Sequence, residues 1–394
     1  MEWKLSELSV DGKGHYGIGA PAIPYDKNKP TYLRITDINN DGTINFLDLK
    51  SVDDEDSNKY LLKENDIVFA RTGNSTGRSY FYQKEHGDFV YAGFLIKFSI
   101  DPQKVNPKIL KYYTHSQEYY NWVKSFDTGG TRGNINAKTF GDMPISLPKR
   151  CVQDKIVGIL SALDAKIENN NKINANLETQ AEALFKSWFV DFTPFKDQPF
   201  VDSELGPIPQ GWKVGTLGDI ANIIMGQSPA GSSYNERGNG VIFYQGRTEF
   251  GFRFPNVRLY TTMPKRYAEP MSILLSVRAP VGDINVAIEK CCIGRGLASI
   301  SSKRGLHSFL LYLVKSLKNR LEVFNGEGTV FGSINKNTLM QFKIIIPPIE
   351  MQEKFNEIIQ RHDCMVLELH KEIINLSTQR DTLLPKLMSG EIKL

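Results

Sequence analysis

Apolar residues recur in alternating steps of four and three along residues 153–188, the spacing of the a and d positions of a heptad repeat. The positions in this stretch are Ile156, Leu160, Leu163, Ile167, Asn170, Asn174, Leu177, Ala181, Leu184 and Trp188. The same spacing returns in the same phase near the end of the chain, at Phe355, Ile359, His362, Val366, Leu369, Ile373, Leu376, Arg380, Leu383 and Leu387. No proline interrupts the first stretch, which predicts one continuous helix. Two helices with matching seams need a partner surface, and the simplest prediction is that they pair with each other.

Two polar residues, Asn170 and Asn174, stand at seam positions where the second stretch has Leu369 and Ile373. A buried asparagine in a seam lowers stability but fixes the register or the orientation of the helices. The alternative is that both side chains lie at the edge of the seam and stay in contact with water. The sequence leaves both interpretations open.

The segments outside the heptads have the short alternating runs and turn signals of mixed α/β domains. The strands predicted in the first of these segments are 31–35, 67–71, 79–83, 89–100 and 143–147. One helix is predicted over 107–124, and a similar helix is predicted near 306–324 in the later segment. Between the two halves, residues 192–211 contain four prolines, which predicts a stiff, extended linker.

Several short motifs occur twice with similar neighbours, which indicates a duplicated domain followed each time by a long helix. The run 67–71 resembles 274–278, and each of these runs ends in an arginine. The further matches are 135–140 with 334–339, Trp3 and Lys4 with Trp212 and Lys213, Leu8 with Leu217, Gly77 with Gly282, Pro148 with Pro347, and Gln153 with Gln352.

These patterns predict an α+β fold, with two similar mixed α/β globular domains joined by two long helices that form an antiparallel coiled coil with pseudo-two-fold symmetry. The predicted segments are a first globular domain 1–150, a central helical region 151–191, the linker 192–211, a second globular domain 212–347 and a C-terminal helical region 348–394. Such symmetry presents two similar surfaces in inverted orientation, as in proteins that read two DNA half-sites. The alternative is a scaffold whose coiled coil only sets a distance.

Charge and composition narrow the class of protein. The 394-residue chain has a net charge of only +4, but its basic excess lies in the second globular segment, whereas the helical regions are acidic. A polyanion is therefore expected to meet the globular parts. The apolar runs are too short to span a membrane. The four cysteines form no C-x-x-C pair, which indicates a reducing, cytoplasmic location and argues against a zinc site.

The motifs together resemble the specificity subunit of a type I restriction–modification system, over the whole chain. The residues that carry the resemblance are Asn136-Ala137 and Asn335-Lys336 ahead of Pro148 and Pro347, Gln153 and Gln352 at the helix starts, and the runs 184–192, 206–212 and 384–392. The family commonly has glutamate before the helix-opening glutamine, whereas this chain has Val152 and Met351. This difference leaves the chemistry of the helix starts open.

The resemblance implies a non-catalytic subunit whose two target-recognition domains each read one half of a split, asymmetric DNA sequence. It implies that the helical regions act as a ruler and as the interface for partners. The helix residues concerned are Ile156, Leu160, Leu163, Ile167, Asn170, Asn174, Leu177, Leu184, Val366, Leu369, Ile373, Leu376, Leu383 and Leu387. The implied partners are double-stranded DNA, two modification subunits that carry S-adenosylmethionine, and restriction subunits that use ATP and magnesium. No cofactor is expected in this chain.

One polar loop in the first domain is a candidate for DNA contact. Arg71 and Arg78 flank it and can pair with guanine or phosphate, and Arg278 stands at the place matched to Arg71. The short hydrogen-bonding residues between them are Asn74, Ser75 and Thr76. The alternative is an ordinary polar turn.

A second loop candidate, rich in glycine, precedes the run 135–140 and its copy. Glycines there allow the backbone to approach a phosphate closely. The candidates are Arg132, Asn134 and Thr329, together with Gln227, Ser228, Tyr234, Arg247 and Arg253 in the second domain. Arg247 and Arg253 have the alternative of being ordinary surface residues. Different loop residues on similar frames are what two unlike half-sites would require.

Catalytic signatures are absent from the sequence. No P-loop or amino-methylating motif is present, which disfavours a second hypothesis, a stand-alone DNA-modifying enzyme. The run 12–17 matches G-x-G-x-x-G, but the prolines that follow exclude the helix of a dinucleotide site, so a loop is predicted.

Overall fold

The computed structural model describes residues 1–126, 133–326 and 332–394. The chain divides into two compact units, each assembled from segments that are distant in sequence. Unit 1 comprises Met1–Asn169 and Glu372–Leu394, and unit 2 comprises Asn170–Lys371. Two long helices, Arg150–Phe189 and Ile349–Met388, each contribute residues to both units.

Unit 1 contains a mixed α/β domain. Its strands are β1 (Glu2–Lys4), β2 (His15–Tyr16), β3 (Ile23–Pro24), β4 (Thr31–Leu33), β5 (Lys50–Ser51), β6 (Asp66–Ala70), β7 (Ser79–Phe81), β8 (Phe89–Tyr91), β9 (Leu95–Ser99) and β10 (Pro144–Ser146). Its helices are α1 (Leu5–Leu8), α2 (Ile109–Tyr113), α3 (Gln117–Lys124), α4 (Ala137–Gly141) and the first part of α5 (Arg150–Phe189). The strands form two sheets, in the orders β2-β9-β6-β7 and β3-β5-β4-β8, with β1 and β10 as a separate antiparallel pair.

Unit 2 repeats this plan. Its strands are β11 (Phe200–Val201), β12 (Ile208–Pro209), β13 (Lys213–Thr216), β14 (Ala221–Met225), β15 (Tyr234–Asn235), β16 (Val241–Tyr244), β17 (Leu259–Thr261), β18 (Tyr267–Ala268), β19 (Ile273–Ser276), β20 (Ile284–Val286), β21 (Cys291–Ile293), β22 (Leu297–Ser302) and β23 (Lys343–Ile346). Its helices are α6 (Leu217–Ile220), α7 (His307–Ser316), α8 (Lys318–Glu322), α9 (Lys336–Met340) and the first part of α10 (Ile349–Met388). The sheets run β14-β22-β19-β20 and β15-β17-β16-β21-β18, and β13 pairs with β23.

The central strand of each unit is buried on both faces. In β6, Ile67 and Phe69 belong to the apolar cluster that includes the helices, whereas Val68 and Ala70 belong to the cluster of the other sheet. In β19, Ile273 and Leu275 face one cluster while Leu274 faces the other. Because side chains alternate along a strand, such a strand joins two layers of core.

Within unit 1, the two long helices run antiparallel. Asp164 lies 3.1 Å from Arg380, whereas Lys166, further along α5, lies 3.5 Å from Glu372, which is earlier in α10. The apolar residues that join these helix segments to the domain core include Ile156, Leu160, Leu384 and Leu387. The predicted pairing direction is therefore confirmed in this unit.

Within unit 2, the helices are also antiparallel. The rings of Phe185 and Trp188 lie 5.4 and 6.2 Å from the ring of Phe355. Glu178, earlier in α5, and Asp363, later in α10, both contact Arg253. Residues that come later in α5 thus lie beside residues that come earlier in α10.

The predicted heptad seams are buried or half-buried at all of their positions. Asn170 and Asn174 are both buried, which rules out the alternative of water-exposed edge positions. Their role in fixing register stays a prediction, and so does the role of the seam residues as an interface for partner subunits.

The helix starts confirm the match between Gln153 and Gln352. The side-chain amide of Gln153 donates a hydrogen bond to the carbonyl of Pro148 at 2.9 Å, and that of Gln352 donates to the carbonyl of Pro347 at 2.8 Å. The short helices ahead of them also correspond. Asn136 and Asn335 cap α4 and α9 by accepting from the backbone N–H three residues on.

Several sequence predictions of local structure are wrong, including the single helix near 306–324, which is the two helices α7 and α8. The run 89–100 forms two strands in different sheets, because the chain turns sharply where the Leu95 N–H donates to the Ala92 carbonyl. The predicted helix 107–124 is two helices, since Ser116 caps a new helix start. The linker is folded into a 3₁₀ turn and the hairpin β11–β12, with Phe195 and Ile208 in the core of unit 2.

None of the helices in the described part of the chain has the length and apolar character needed to cross a bilayer.

Candidate nucleic-acid interface

The two loop candidates of the first domain lie side by side in unit 1. Thr72 and Asn134 form a backbone bridge, and the Ile135 N–H donates to the Arg71 carbonyl at 2.9 Å. On the other side, the Arg71 N–H donates to the carbonyl of Phe94 at 3.0 Å. Segments from three distant parts of the sequence therefore form one hydrogen-bonded frame.

Unit 2 contains the same frame. Arg278 and Ser333 form the backbone bridge, the Ile334 N–H donates to the Val277 carbonyl at 3.1 Å, and the Val277 N–H donates to the Gly296 carbonyl at 2.9 Å. The residues that follow β19 and the described residues just ahead of α9 are thus brought together in the same way.

The shared frame corrects the sequence match between the two domains by one residue. Arg71 and Val277 make the same hydrogen bonds, so Arg71 corresponds to Val277 and Thr72 corresponds to Arg278. The sequence match was misleading because both runs end in arginine, and the correction matters because a one-residue shift moves every side chain to the opposite face. The match of Trp3 with Trp212 is also wrong. Leu5 and Leu217 occupy equivalent places, since their N–H groups donate to the carbonyls of Met143 and Phe342.

A pair of glycines next to the frame shows how closely the backbones approach. A Cβ atom on Gly17 would lie 2.2 Å from the Tyr91 carbonyl oxygen, and one on Gly226 would lie 2.1 Å from the Gly294 carbonyl oxygen. Each position therefore requires glycine. The run 12–17 is correspondingly not a simple loop, because His15 and Tyr16 form β2.

In unit 1, Arg71 is held by its neighbours in a defined position. Its guanidinium lies 5.0 Å from the centre of the Tyr16 ring, and its Nε donates to the side-chain oxygen of Asn134 at 3.4 Å. The Tyr16 hydroxyl accepts a hydrogen bond from the Ala137 N–H at 3.0 Å. Tyr16 and Asn134 are exposed, so this group presents cationic, aromatic and amide groups to solvent. Sequence reasoning missed Tyr16, because only folding brings it to Arg71.

The loop after Arg71 has one exposed candidate. Asn74 is exposed, whereas Ser75 is buried. The Thr76 hydroxyl lies within hydrogen-bonding distance of the carbonyls of Gly73 and Gly133. The Arg78 guanidinium donates to the Ile38 carbonyl at 2.9 Å. Ser75, Thr76 and Arg78 therefore shape the loop, and their contact with DNA stays a prediction.

The candidates of unit 2 differ in their freedom to contact a ligand. Gln227 is exposed, and Ser228 Oγ accepts from the Arg295 N–H at 3.2 Å. The Tyr234 hydroxyl donates to the Pro229 carbonyl at 3.1 Å. Arg247 forms an ion pair with Asp283.

Arg278 is exposed, and over the described ranges no carboxylate lies within ion-pair distance of it. Arg132 and Thr329 lie outside the described residues.

Arg253 is not a surface residue. It is 4% exposed, and its guanidinium forms ion pairs with Glu178 of α5 and Asp363 of α10. It also donates to the Tyr312 hydroxyl at 3.1 Å. Burial alone would lower the pKa of Arg253, but Asp363, Tyr312 and Glu178 more than reverse this effect and raise it. Arg253 therefore joins the second domain to both helices of unit 2.

The described side chains were searched for clusters of metal ligands. In the part of the chain that the structure describes, no group of three or more His, Cys, Asp or Glu side chains could hold a metal ion. The described cysteines are unpaired, with Cys291 and Cys292 buried and Cys151 and Cys364 exposed. What the two frames offer is cationic, amide and aromatic groups, which suit a nucleic acid.

Comparison with known proteins places the chain in a family. The family model of the type I restriction modification DNA specificity domain matches twice, over residues 22–179 and 209–377. A protein of Methanocaldococcus jannaschii, assigned as the specificity subunit of type I restriction enzyme MjaX, is 33% identical over 90% of this chain and 85% of its own. The type I restriction enzyme HindI specificity subunit of Haemophilus influenzae is 24% identical over 85% of this chain and 88% of its own.

A solved structure shows the same fold. The S subunit of a type I restriction-modification system from M. genitalium is 18% identical, with a TM-score of 0.56, and the match covers 98% of this chain and 96% of that one. The predicted α+β class, with two mixed α/β domains and two long paired helices, is thus confirmed. Since the family model matches most of the sequence in two copies, the chain belongs to the type I restriction modification DNA specificity family.

Proposed function

We propose that this chain is the sequence-reading subunit of a type I restriction–modification complex, in which each globular domain reads one half of a bipartite, asymmetric DNA site. The observation that carries the proposal is the pair of identical backbone frames with unlike side chains. Where unit 1 has Arg71 and Thr72, unit 2 has Val277 and Arg278 on the same hydrogen bonds. Because the two backbone frames match, both domains can dock on the DNA duplex in the same way. Because their side chains differ, the two domains can prefer different bases.

The chain itself performs no catalysis under this proposal. Two modification subunits bind the helical regions and supply S-adenosylmethionine, and restriction subunits supply ATP- and magnesium-dependent cleavage. The acidic character of the helical regions fits this division, because acidic surfaces repel DNA and are available to proteins. The free cysteines fit a reducing cytoplasm.

Exchange of the first domain tests the proposal directly. A chimaera that carries residues 1–150 of another family member, assembled with its modification subunits, is expected to methylate DNA at a site in which only one half has changed. The reason is that the second globular domain, with its own backbone frame, is unchanged in the chimaera. Sequencing of methylated sites in a random DNA library measures this outcome. A chimaera with both halves unchanged would contradict the proposal.

A further prediction concerns the length of the helices. Insertion of one heptad into each long helix adds about 10 Å of rise and keeps the seam in phase. The spacer between half-sites should then lengthen by about three base pairs, at roughly 3.4 Å per base pair. Insertion into one helix alone is the control and should abolish assembly or activity. An unchanged spacer after the double insertion would contradict the part of the proposal in which the helix length sets the distance between half-sites.

Two other functions remain as outcomes of these measurements. A scaffold that does not read DNA would leave methylation specificity unaltered in the chimaera. A stand-alone modifying enzyme would methylate DNA with S-adenosylmethionine and no partner subunit. The family membership of the chain favours the specificity subunit over both.

A further inference from the structure

One tight turn of each frame carries an apolar side chain in unit 1 and a cationic side chain in unit 2. In unit 1 the turn 92–95 is closed by the bond from the Leu95 N–H to the Ala92 carbonyl, at 2.8 Å. In unit 2 the turn 294–297 is closed by the bond from the Leu297 N–H to the Gly294 carbonyl, at 3.0 Å. Each turn leads into the strand beside the central strand, β9 or β22.

The turns are anchored in the same way, so their residues can be compared one by one. Phe94 and Gly296 each accept a hydrogen bond from the residue that follows the central strand, Arg71 or Val277. The preceding positions, Gly93 and Arg295, therefore also correspond. Unit 1 has Gly-Phe where unit 2 has Arg-Gly.

Each turn carries one large side chain that the fold does not use. Phe94 is 59% exposed, and among the described residues no aromatic ring packs against its ring. Arg295 is exposed, and no described carboxylate lies within ion-pair distance of it. Only its backbone is engaged, by Ser228 Oγ. The ring and the guanidinium stand at equivalent turns of the two frames, where both are free to contact a ligand outside the chain.

The glycine in each turn allows the other residue to stand out. A Cβ on Gly296 would lie 3.0 Å from the Gln245 carbonyl oxygen, so the position of Phe94 is closed to a side chain in unit 2 without displacement of that carbonyl. A Cβ on Gly93 would lie 3.3 Å from the Ile18 carbonyl oxygen, so a side chain there in unit 1 would require a shift of a few tenths of an ångström.

We propose that this turn determines the base preference of each domain, with Phe94 contacting the methyl group of a thymine and Arg295 donating to the O6 and N7 atoms of a guanine in the major groove. The proposal rests on the DNA-reading function proposed above and adds the residues and the bases. The thymine methyl is the apolar group that the major groove offers, and guanine is the base whose paired acceptors fit the arginine fork.

Substitution of the two residues in the full chain, assembled with its modification subunits, tests the proposal. Methylation of a DNA library with each half-site position randomised gives the preference at every position. Arg295→Ala should relax a single G·C position in one half-site by about 10- to 100-fold. Phe94→Ala should relax a single T·A position in the other half-site by about fourfold, the value of one buried methyl group.

Matched variants separate base reading from other effects. Arg295→Lys keeps the charge but loses the fork, so it should relax the same position while overall affinity holds. Arg304→Ala removes an exposed arginine that follows the same strand β22, and Phe46→Ala removes an exposed ring of unit 1 outside the frame, so both should leave every position unchanged. Thermal melting of each variant verifies folding.

The outcomes distinguish the proposal from the function on which it rests. A uniform loss of methylation at all sequences with Arg295→Ala, restored by lysine, would mean a phosphate contact and would overturn the proposal for that residue. Unchanged preferences in both alanine variants would overturn it altogether, while a bipartite site for the unaltered complex would still support the proposed function. If the unaltered complex recognised no bipartite site, the proposed function itself would fail.

Discussion

Replacing Arg253 with methionine is expected to lower the free energy of unfolding by roughly 3–5 kcal/mol, the cost of breaking a buried ion cluster. The guanidinium is almost fully buried between Glu178 and Asp363. Methionine fills much of the same volume but leaves the buried Asp363 carboxylate without its cation, while Glu178 keeps its ion pair with Lys315. Urea denaturation of the full chain, followed by circular dichroism, measures the change.

Two further variants show whether charge is the cause. Arg247 stands in the same part of the second domain, and its pair with Asp283 is largely solvent-exposed, so Arg247→Ala should cost less than about 1 kcal/mol. The double variant Arg253→Met, Asp363→Asn also removes the uncompensated charge of Asp363 and should recover much of the loss. An Arg253→Met variant as stable as the Arg247→Ala variant would contradict the role assigned to the buried cluster.

The long helices and the duplicated plan could be predicted because their signals are local or periodic. The seam from Ile156 to Trp188 repeats every 3.5 residues, and a period of this kind that is sustained over nine turns is typical of a long paired helix. The helix caps at Asn136 and Asn335 are also local, since each side chain accepts from a backbone group three residues away. Family resemblance added the functional class.

The features that the sequence could not predict depend on contacts between distant segments. Arg253 looks like any surface arginine in a glycine-rich loop, and its buried partners are 75 and 110 residues away in the chain. The one-residue offset between Arg71 and Arg278 was hidden because both runs end in arginine. Only the hydrogen-bond partners of the strands determine the register, and with it the face on which each side chain lies.

The sequence also could not predict that the candidate DNA-contacting loops lie next to each other. Tyr16, Phe94 and Asn134 come from three parts of the chain, and each one alone is an ordinary exposed residue. The sheet order β2-β9-β6-β7 brings Tyr16 and Phe94 to Arg71, and the backbone bridge to Thr72 brings Asn134 there. The sequence predicted two candidate loops but could not show that they lie next to each other.

Asp164 plays in unit 1 the part that Arg253 plays in unit 2, with the charges reversed. This carboxylate of α5 lies 2.6 Å from Lys111 Nζ, 3.0 Å from the Tyr112 hydroxyl and 3.1 Å from Arg380 of α10. Burial raises the pKa of Asp164, but Lys111 and Arg380 outweigh burial and hold the pKa below the ordinary value of 3.8. One side chain again joins a globular domain to both helices.

Asp164→Asn is expected to lower the free energy of unfolding by about 2–3 kcal/mol at neutral pH, because two partly buried cations lose their anion. The loss should depend on pH. Since the folded-state pKa of Asp164 is depressed, its contribution is full above pH 3.8 and disappears as the pH falls through the lower folded value. The difference between the original chain and the variant, measured by urea denaturation from pH 7 to pH 3, should therefore shrink at the acid end.

Asp154→Asn provides the comparison on the same helix, because Asp154 is well exposed beside Arg150 and its loss should cost no more than about 0.5 kcal/mol. Other carboxylates also titrate in the acid range, but they affect both chains alike and cancel in the difference. A deficit for Asp164→Asn that stayed constant down to pH 3 would show that packing or hydrogen-bond geometry, rather than the charge of Asp164, holds the first domain to its helices.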